Sequence, residues 1–161
     1  MTTIIFPLYG FLNSRKKRGF NLGKIAKERK LHFSNFDEVG SNVIAIDSTK
    51  RKLLYVNNSP VTSSCLIVDL NSLQECTIRK LYDSINAGDL NKNKMSHFLK
   101  NIFLNLRFRN GSPSVTLPLY EAQKSYADNV EELETKAKKW RNILSKLLPI
   151  LKLERAYIIG Q

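Results

Sequence analysis

Residues 100–147 read KNIFLNLRFRNGSPSVTLPLYEAQKSYADNVEELETKAKKWRNILSKL, and the hydrophobic period changes partway along. At the start it is two. Ile102, Leu104, Leu106 and Phe108 lie on one side, and Phe103, Asn105, Arg107 and Arg109 on the other, the alternation of a half-buried strand. Asn110-Gly111 is a strong hairpin signal, lengthened by Ser112-Pro113. Ser114–Tyr120 carries Val115, Leu117 and Leu119 on one face. Pro118 has no N–H for a ladder, which places this strand at an edge or a bulge. Then Val130, Leu133, Ala137, Trp140, Leu144 and Leu147 follow at spacings of three and four, the stripe of an amphipathic helix. Asp128 and Glu131 have capping-box spacing. Acids crowd the helix start and Lys136, Lys138, Lys139, Arg141 and Lys146 follow, complementing the helix dipole; Pro149 stops it.

Upstream, the same alternation predicts further strands: Leu31–Phe36, Asn42–Asp47, Lys52–Asn57, Ser64–Leu70 and Leu73–Tyr82. The second and third form a hairpin whose tip carries Lys50, Arg51 and Lys52. Asn57–Pro60 is a turn cluster, and Asp83–Lys94 is a long polar loop containing Gly88. The expected fold is mainly β (α+β). It is a bent antiparallel sheet, or partly open barrel, of about seven strands capped by one C-terminal amphipathic helix. Trp140 is its natural plug, flanked along the stripe by Leu133 and Leu144; an indole buries ~150–250 Å².

The chain has 161 residues, 42% apolar and 25% charged, which suits a globular domain with its own core and excludes disorder throughout. The net charge of +12 is uneven: residues 1–30 hold eight Lys/Arg against one acid, whereas the body is nearly balanced. Three parts are expected. Residues 1–30 are an apolar and basic arm with a short helix over Asn21–Leu31, residues 31–148 are the β domain with its helix, and residues 149–161 are a tail.

The arm reads TTIIFPLYGFL from Thr2 to Leu12, followed closely by Arg15, Lys16, Lys17 and Arg18. Its apolar run is too short for a spanning helix, which needs ~20 residues, and the charges follow it rather than precede it as in a signal peptide. As an interfacial anchor, Phe6, Tyr9 and Phe11 would sit among lipid headgroups and the basic cluster would meet anionic lipid. As the end of a longer transmembrane helix, the apolar run followed by RKKR would mark its cytoplasmic side. A disordered or crystal-ordered arm is the third reading.

The hairpin VIAIDSTKRKLLYV, the strands SCLIVDL, ECTIRKLY and NIFLNLRFR, the segment VTLPLYE and the closing helix with AKKWRNIL together resemble the pleckstrin-homology-like family, most of all its small bacterial membrane-associated type. The resemblance covers roughly residues 31–148 and implies a platform for lipids, peptides or proteins. Members that bind phosphoinositides use a spaced basic motif over the first hairpin. Here only Lys50, Arg51 and Lys52 match that region, so the resemblance implies a fold and a class of role, and no ligand.

No pattern proposes catalysis. His32 and His97 have no patterned partner, the seven glycines form no phosphate-binding loop, and Cys65 and Cys76 match no zinc or redox spacing. Both thiols read as buried and free, and Asp47 and Asp69 as turn or cap residues. No enzyme, cofactor, metal or small-molecule substrate is expected. The leading expectation is a binding or scaffold module, peripheral to or anchored at the cytoplasmic face of the inner membrane, with an anionic-lipid or protein partner. The alternative is a nucleic-acid-binding domain that uses the basic arm and the Lys/Arg strand faces, with Phe103 for stacking.

Overall fold

The structure, a computed structural model, describes residues 21–58, 63–109, 111–122 and 129–148. The strands are β1 (Asn35–Val39), β2 (Asn42–Asp47), β3 (Lys52–Asn58), β4 (Ser63–Asp69), β5 (Leu73–Tyr82), β6 (Leu99–Phe108) and β7 (Val115–Glu121). Helix α1 (Leu22–Arg29) precedes them, α2 (Asp89–Lys92) and a 3-10 turn (Met95–Phe98) lie between β5 and β6, and α3 (Val130–Ser145) follows. The fold is therefore mainly β, as the periodicity requires. Its strands form two antiparallel sheets, in the orders β1-β2-β3-β4 and β5-β6-β7, and are not closed into a barrel. The chain passes between the sheets through a turn in which Asp69 Oδ1 accepts from the Asn71 backbone N–H at 2.9 Å and Leu73 N–H donates to Leu70 O at 3.1 Å. The chain divides into two compact units, at Val68/Asp69.

In the first unit β1 begins later than predicted. Leu31–Ser34 is used to link α1 to the sheet, and β1 and β2 join through a two-residue turn with Gly40 at φ +61°, which primed hairpin turns favour. Strands β2 and β3 are buried on both faces, beyond the one-sided alternation predicted for them. Val43, Ala45, Leu54 and Val56 form one face, covered by Leu22 of α1 with Ile25, Phe33, Phe36 and Ile67 around it. Ile44, Ile46, Leu53 and Tyr55 form the other face and are equally buried. The helix placed by sequence in the arm is thus part of a core.

In the second unit β6 is central, paired with β5 on one side and β7 on the other. Ile102, Leu104 and Leu106 are fully buried, in register with Cys76, Ile78 and Lys80 of β5. Strand β7 lies at the edge of its sheet and carries a register shift: Ile102 pairs with Tyr120 and Phe103 with Pro118, so Leu119 is the extra residue. Pro118 thus has both the edge position and the bulge that its missing N–H demands. Helix α3 packs on this sheet through Leu133, Ala137, Trp140 and Leu144, all buried. Its N-cap is Asn129, whose Oδ1 accepts from Glu131 N–H at 3.0 Å; Asp128, expected in that role, lies outside the described residues. Lys80 of β5 and Glu134 of α3 form an ion pair at 2.9 Å that is largely shielded from solvent.

Candidate functional site: a basic cluster built by a helix end and a hairpin turn

The basic cluster begins with how α1 ends. Asn21 caps its start by accepting from Lys24 N–H at 3.1 Å. At the other end Lys30 adopts the left-handed conformation, φ +53°. Leu31 N–H reaches back to Ala26 O at 2.8 Å and Lys30 N–H to Lys27 O at 3.3 Å, the two bonds of a Schellman motif. Glycine usually occupies this position; here it is lysine, at a cost of roughly 1 kcal/mol. The chain then drops Leu31 into the core, 6% exposed, and runs along the β2–β3 turn.

Asp47 joins the two segments. It is 1% exposed; its Oδ2 accepts from His32 N–H at 2.8 Å and its Oδ1 from Lys50 N–H at 2.8 Å. Ser34 adds its N–H to Ile46 O at 2.8 Å and its hydroxyl to that of Ser48 at 2.6 Å. The turn closes through Arg51, again left-handed with φ +53°. Lys50 Nζ donates to Lys30 O, so an ammonium covers a carbonyl just beyond the negative end of the helix dipole. The last turn of α1 (Lys27, Arg29), Lys30 and the hairpin tip (Lys50, Arg51, Lys52) are thereby drawn together. Lys27, Arg29, Lys30 and Lys50 are exposed, and Arg51 and Lys52 half-buried.

Glu28 lies 3.8 Å from Lys24 in an exposed pair, and Asp47 is committed to backbone N–H groups. Beside the cluster an open cleft of about 570 Å³ runs between α1 and β4, lined by Asn21, Lys24, Ile25, Glu28, Arg29, Cys65 and Ile67. Sequence reasoning missed both the cleft and the contribution of α1. The αL positions at Lys30 and Arg51 carry no glycine or asparagine to announce them.

The other predicted site residues are placed as follows. Phe6, Tyr9, Phe11, Arg15, Lys16, Lys17 and Arg18 lie outside the described residues. Arg107 belongs to the second unit and is held by Glu75 across the β5–β6 ladder at 2.8 Å. Phe103, half-buried, stands in a cross-strand row between Arg79 and Pro118. His32 and His97 are exposed. Asp69 is a turn residue, as expected, accepting from Asn71 N–H and from its Nδ2 at 2.8 Å.

Both cysteines are free, but they differ. Cys76 is buried, and burial pushes its thiol up to about 12, with Arg141 opposing and Glu75 adding to the shift. Cys65 is exposed on β4, a correction to its predicted burial. Its partly desolvated sulfur still lifts the thiol above its ordinary value, and the Arg29 guanidinium opposes this. Among the described residues no three His, Cys, Asp or Glu side chains gather as a metal site, and no helix is long and apolar enough to cross a membrane. Comparison with protein-family models, curated proteins and solved structures returns no match.

Proposed function

We propose that this chain is a non-catalytic binding module of pleckstrin-homology-like type that works on an anionic membrane surface, at the cytoplasmic face of the inner membrane. The carrying observation is that the segment holding Lys27, Arg29 and Lys30 is tied to the turn holding Lys50, Arg51 and Lys52 through the Asp47 and Lys50–Lys30 bonds. Such a cluster suits phosphate-bearing headgroups, because each cation near an anionic bilayer contributes about 1 kcal/mol of attraction. The apolar and basic segment before α1 adds interfacial aromatic residues and four further cations from the same end of the chain. A protein partner recruited to that surface completes the scaffold role. The nucleic-acid alternative draws less support, since Arg107 is taken up by Glu75.

The test is co-sedimentation of the full chain with phosphatidylcholine vesicles, with and without phosphatidylserine. Binding is expected only with the anionic lipid and should weaken with added salt. Charge reversal of Lys50, Arg51 and Lys52 together should lower it by at least on the order of a hundredfold. Equal recovery on both vesicle types refutes the proposal. Unchanged recovery on removing residues 1–20 refutes the contribution of the arm alone. Salt-sensitive binding of a single-stranded oligonucleotide, with no vesicle binding, would favour the alternative.

A further inference from the structure

The connection from β5 to β6 exposes two large apolar side chains. Leu90 on α2 is 54% exposed and Met95, opening the 3-10 turn, is 49% exposed. Between them stand Lys92 and Lys94, both exposed. The excursion has internal order. Its base is closed by Asp83 N–H donating to Phe98 O at 2.7 Å and by the Lys100–Asp83 ion pair at 2.8 Å. Gly88, at φ +94°, permits the sharp entry to α2, where Asp89 Oδ2 accepts from Asn86 N–H at 2.7 Å. Asn93 N–H returns to Asp89 O at 2.9 Å and His97 N–H to Lys94 O at 3.0 Å. Both acids of the excursion are thus engaged locally, while its two internal lysines face solvent beside two exposed apolar side chains.

We propose that Asp83–Phe98 is a second membrane contact: Leu90 and Met95 enter the interfacial layer of an anionic bilayer, and Lys92 and Lys94 meet its headgroups. Charge complementarity selects this occupant. Apolar side chains flanked by solvated cations match the polarity gradient at an anionic bilayer surface, whereas an apolar protein groove would leave both ammonium groups to be desolvated. The inference rests on the membrane reading above and adds to it a contact in the second unit, independent of the basic cluster and of the arm.

The test uses the full chain carrying Cys65→Ser, so that buried Cys76 is the only native thiol left. Leu90→Cys or Met95→Cys is then labelled with a polarity-sensitive fluorophore. Vesicles containing phosphatidylserine are expected to shift the label's emission to the blue, and phosphatidylcholine vesicles to leave it unchanged. Leu90→Ser/Met95→Ser, which removes only exposed side chains, should keep the Trp140 fluorescence of the native protein and weaken vesicle binding on the order of a hundredfold. If the protein pellets with anionic vesicles while the label stays in a water-like environment, or if the double serine variant binds undiminished, this contact is refuted and the basic-cluster reading stands. If the protein does not pellet at all, both fall.

Discussion

Replacing Asp47 by alanine should weaken the first unit and blunt its membrane binding, although it makes the chain more positive. The carboxylate accepts two backbone N–H bonds, from His32 and Lys50, each at 2.8 Å, and is 1% exposed. A hydrogen bond to a charged group contributes about 1.5–3 kcal/mol, so losing both removes roughly 3–6 kcal/mol at most; water reaching the freed N–H groups brings the expectation to about 2–4 kcal/mol. That is a large share of the 5–15 kcal/mol typical of a folded domain. Asp47→Asn keeps an acceptor on one side only and should lose about half as much. The assay is hydrogen exchange followed residue by residue, with urea unfolding by circular dichroism alongside. Protection should fall at His32 and Lys50 and across β2 and β3, and the segments carrying Lys30 and Lys50 should separate. Charge counting alone predicts tighter binding to anionic vesicles for Asp47→Ala; the geometry predicts weaker binding. A loss below about 0.5 kcal/mol, or protection unchanged at both amides, would refute the role given to Asp47.

Other perturbations probe the left-handed positions, the helix plug, the thiols and the Asp83–Lys100 pair. Lys30→Gly and Arg51→Gly each relieve a left-handed backbone and should stabilise the fold by roughly 0.5–1 kcal/mol in thermal melts while lowering vesicle affinity, opposite signs that a purely structural role would not produce. Trp140→Ala leaves a void beneath α3 and should cost about 3–5 kcal/mol, measured by denaturant unfolding. A thiol reagent at neutral pH should modify Cys65 in the native protein and Cys76 only after unfolding. Because the folded Cys76 thiol is pushed up to about 12, its contribution is constant below the ordinary thiol value and is lost as pH rises from there toward that figure; a Cys76→Ala variant should show a shallower loss of stability at alkaline pH. The Asp83 carboxyl is held below its ordinary value, first by its hydrogen bond with Lys100, so the pair persists above the ordinary aspartate range and is lost as pH falls through the lowered value, which a carboxyl NMR titration would follow.

Much of the second unit was readable from local order. β5 matches its predicted bounds, and β6 and α3 were legible because alternation and the three-and-four stripe are properties of neighbouring residues, which record the face each element buries. Pro118 announced its bulge for the same reason: a missing N–H is a fact about one residue. Other features left no local mark. The unbroken apolar run of β2 fits a strand covered on both faces, but nothing nearby says that Leu22 supplies one of the covers. The unequal exposure of Cys65 and Cys76, both in strands of similar composition, depends on what packs over each. The split into two sheets depends on which strands exchange hydrogen bonds.

The basic cluster lies on the same divide. Its lysines and arginines could be counted along the chain, but their meeting could not. His32 finds Asp47 fifteen residues away, and Lys50 finds Lys30 across twenty. Periodicity is set by bonds within a segment and survives in the letters. Convergence is set by how a helix end and a turn share one buried carboxylate, and only the folded chain holds that.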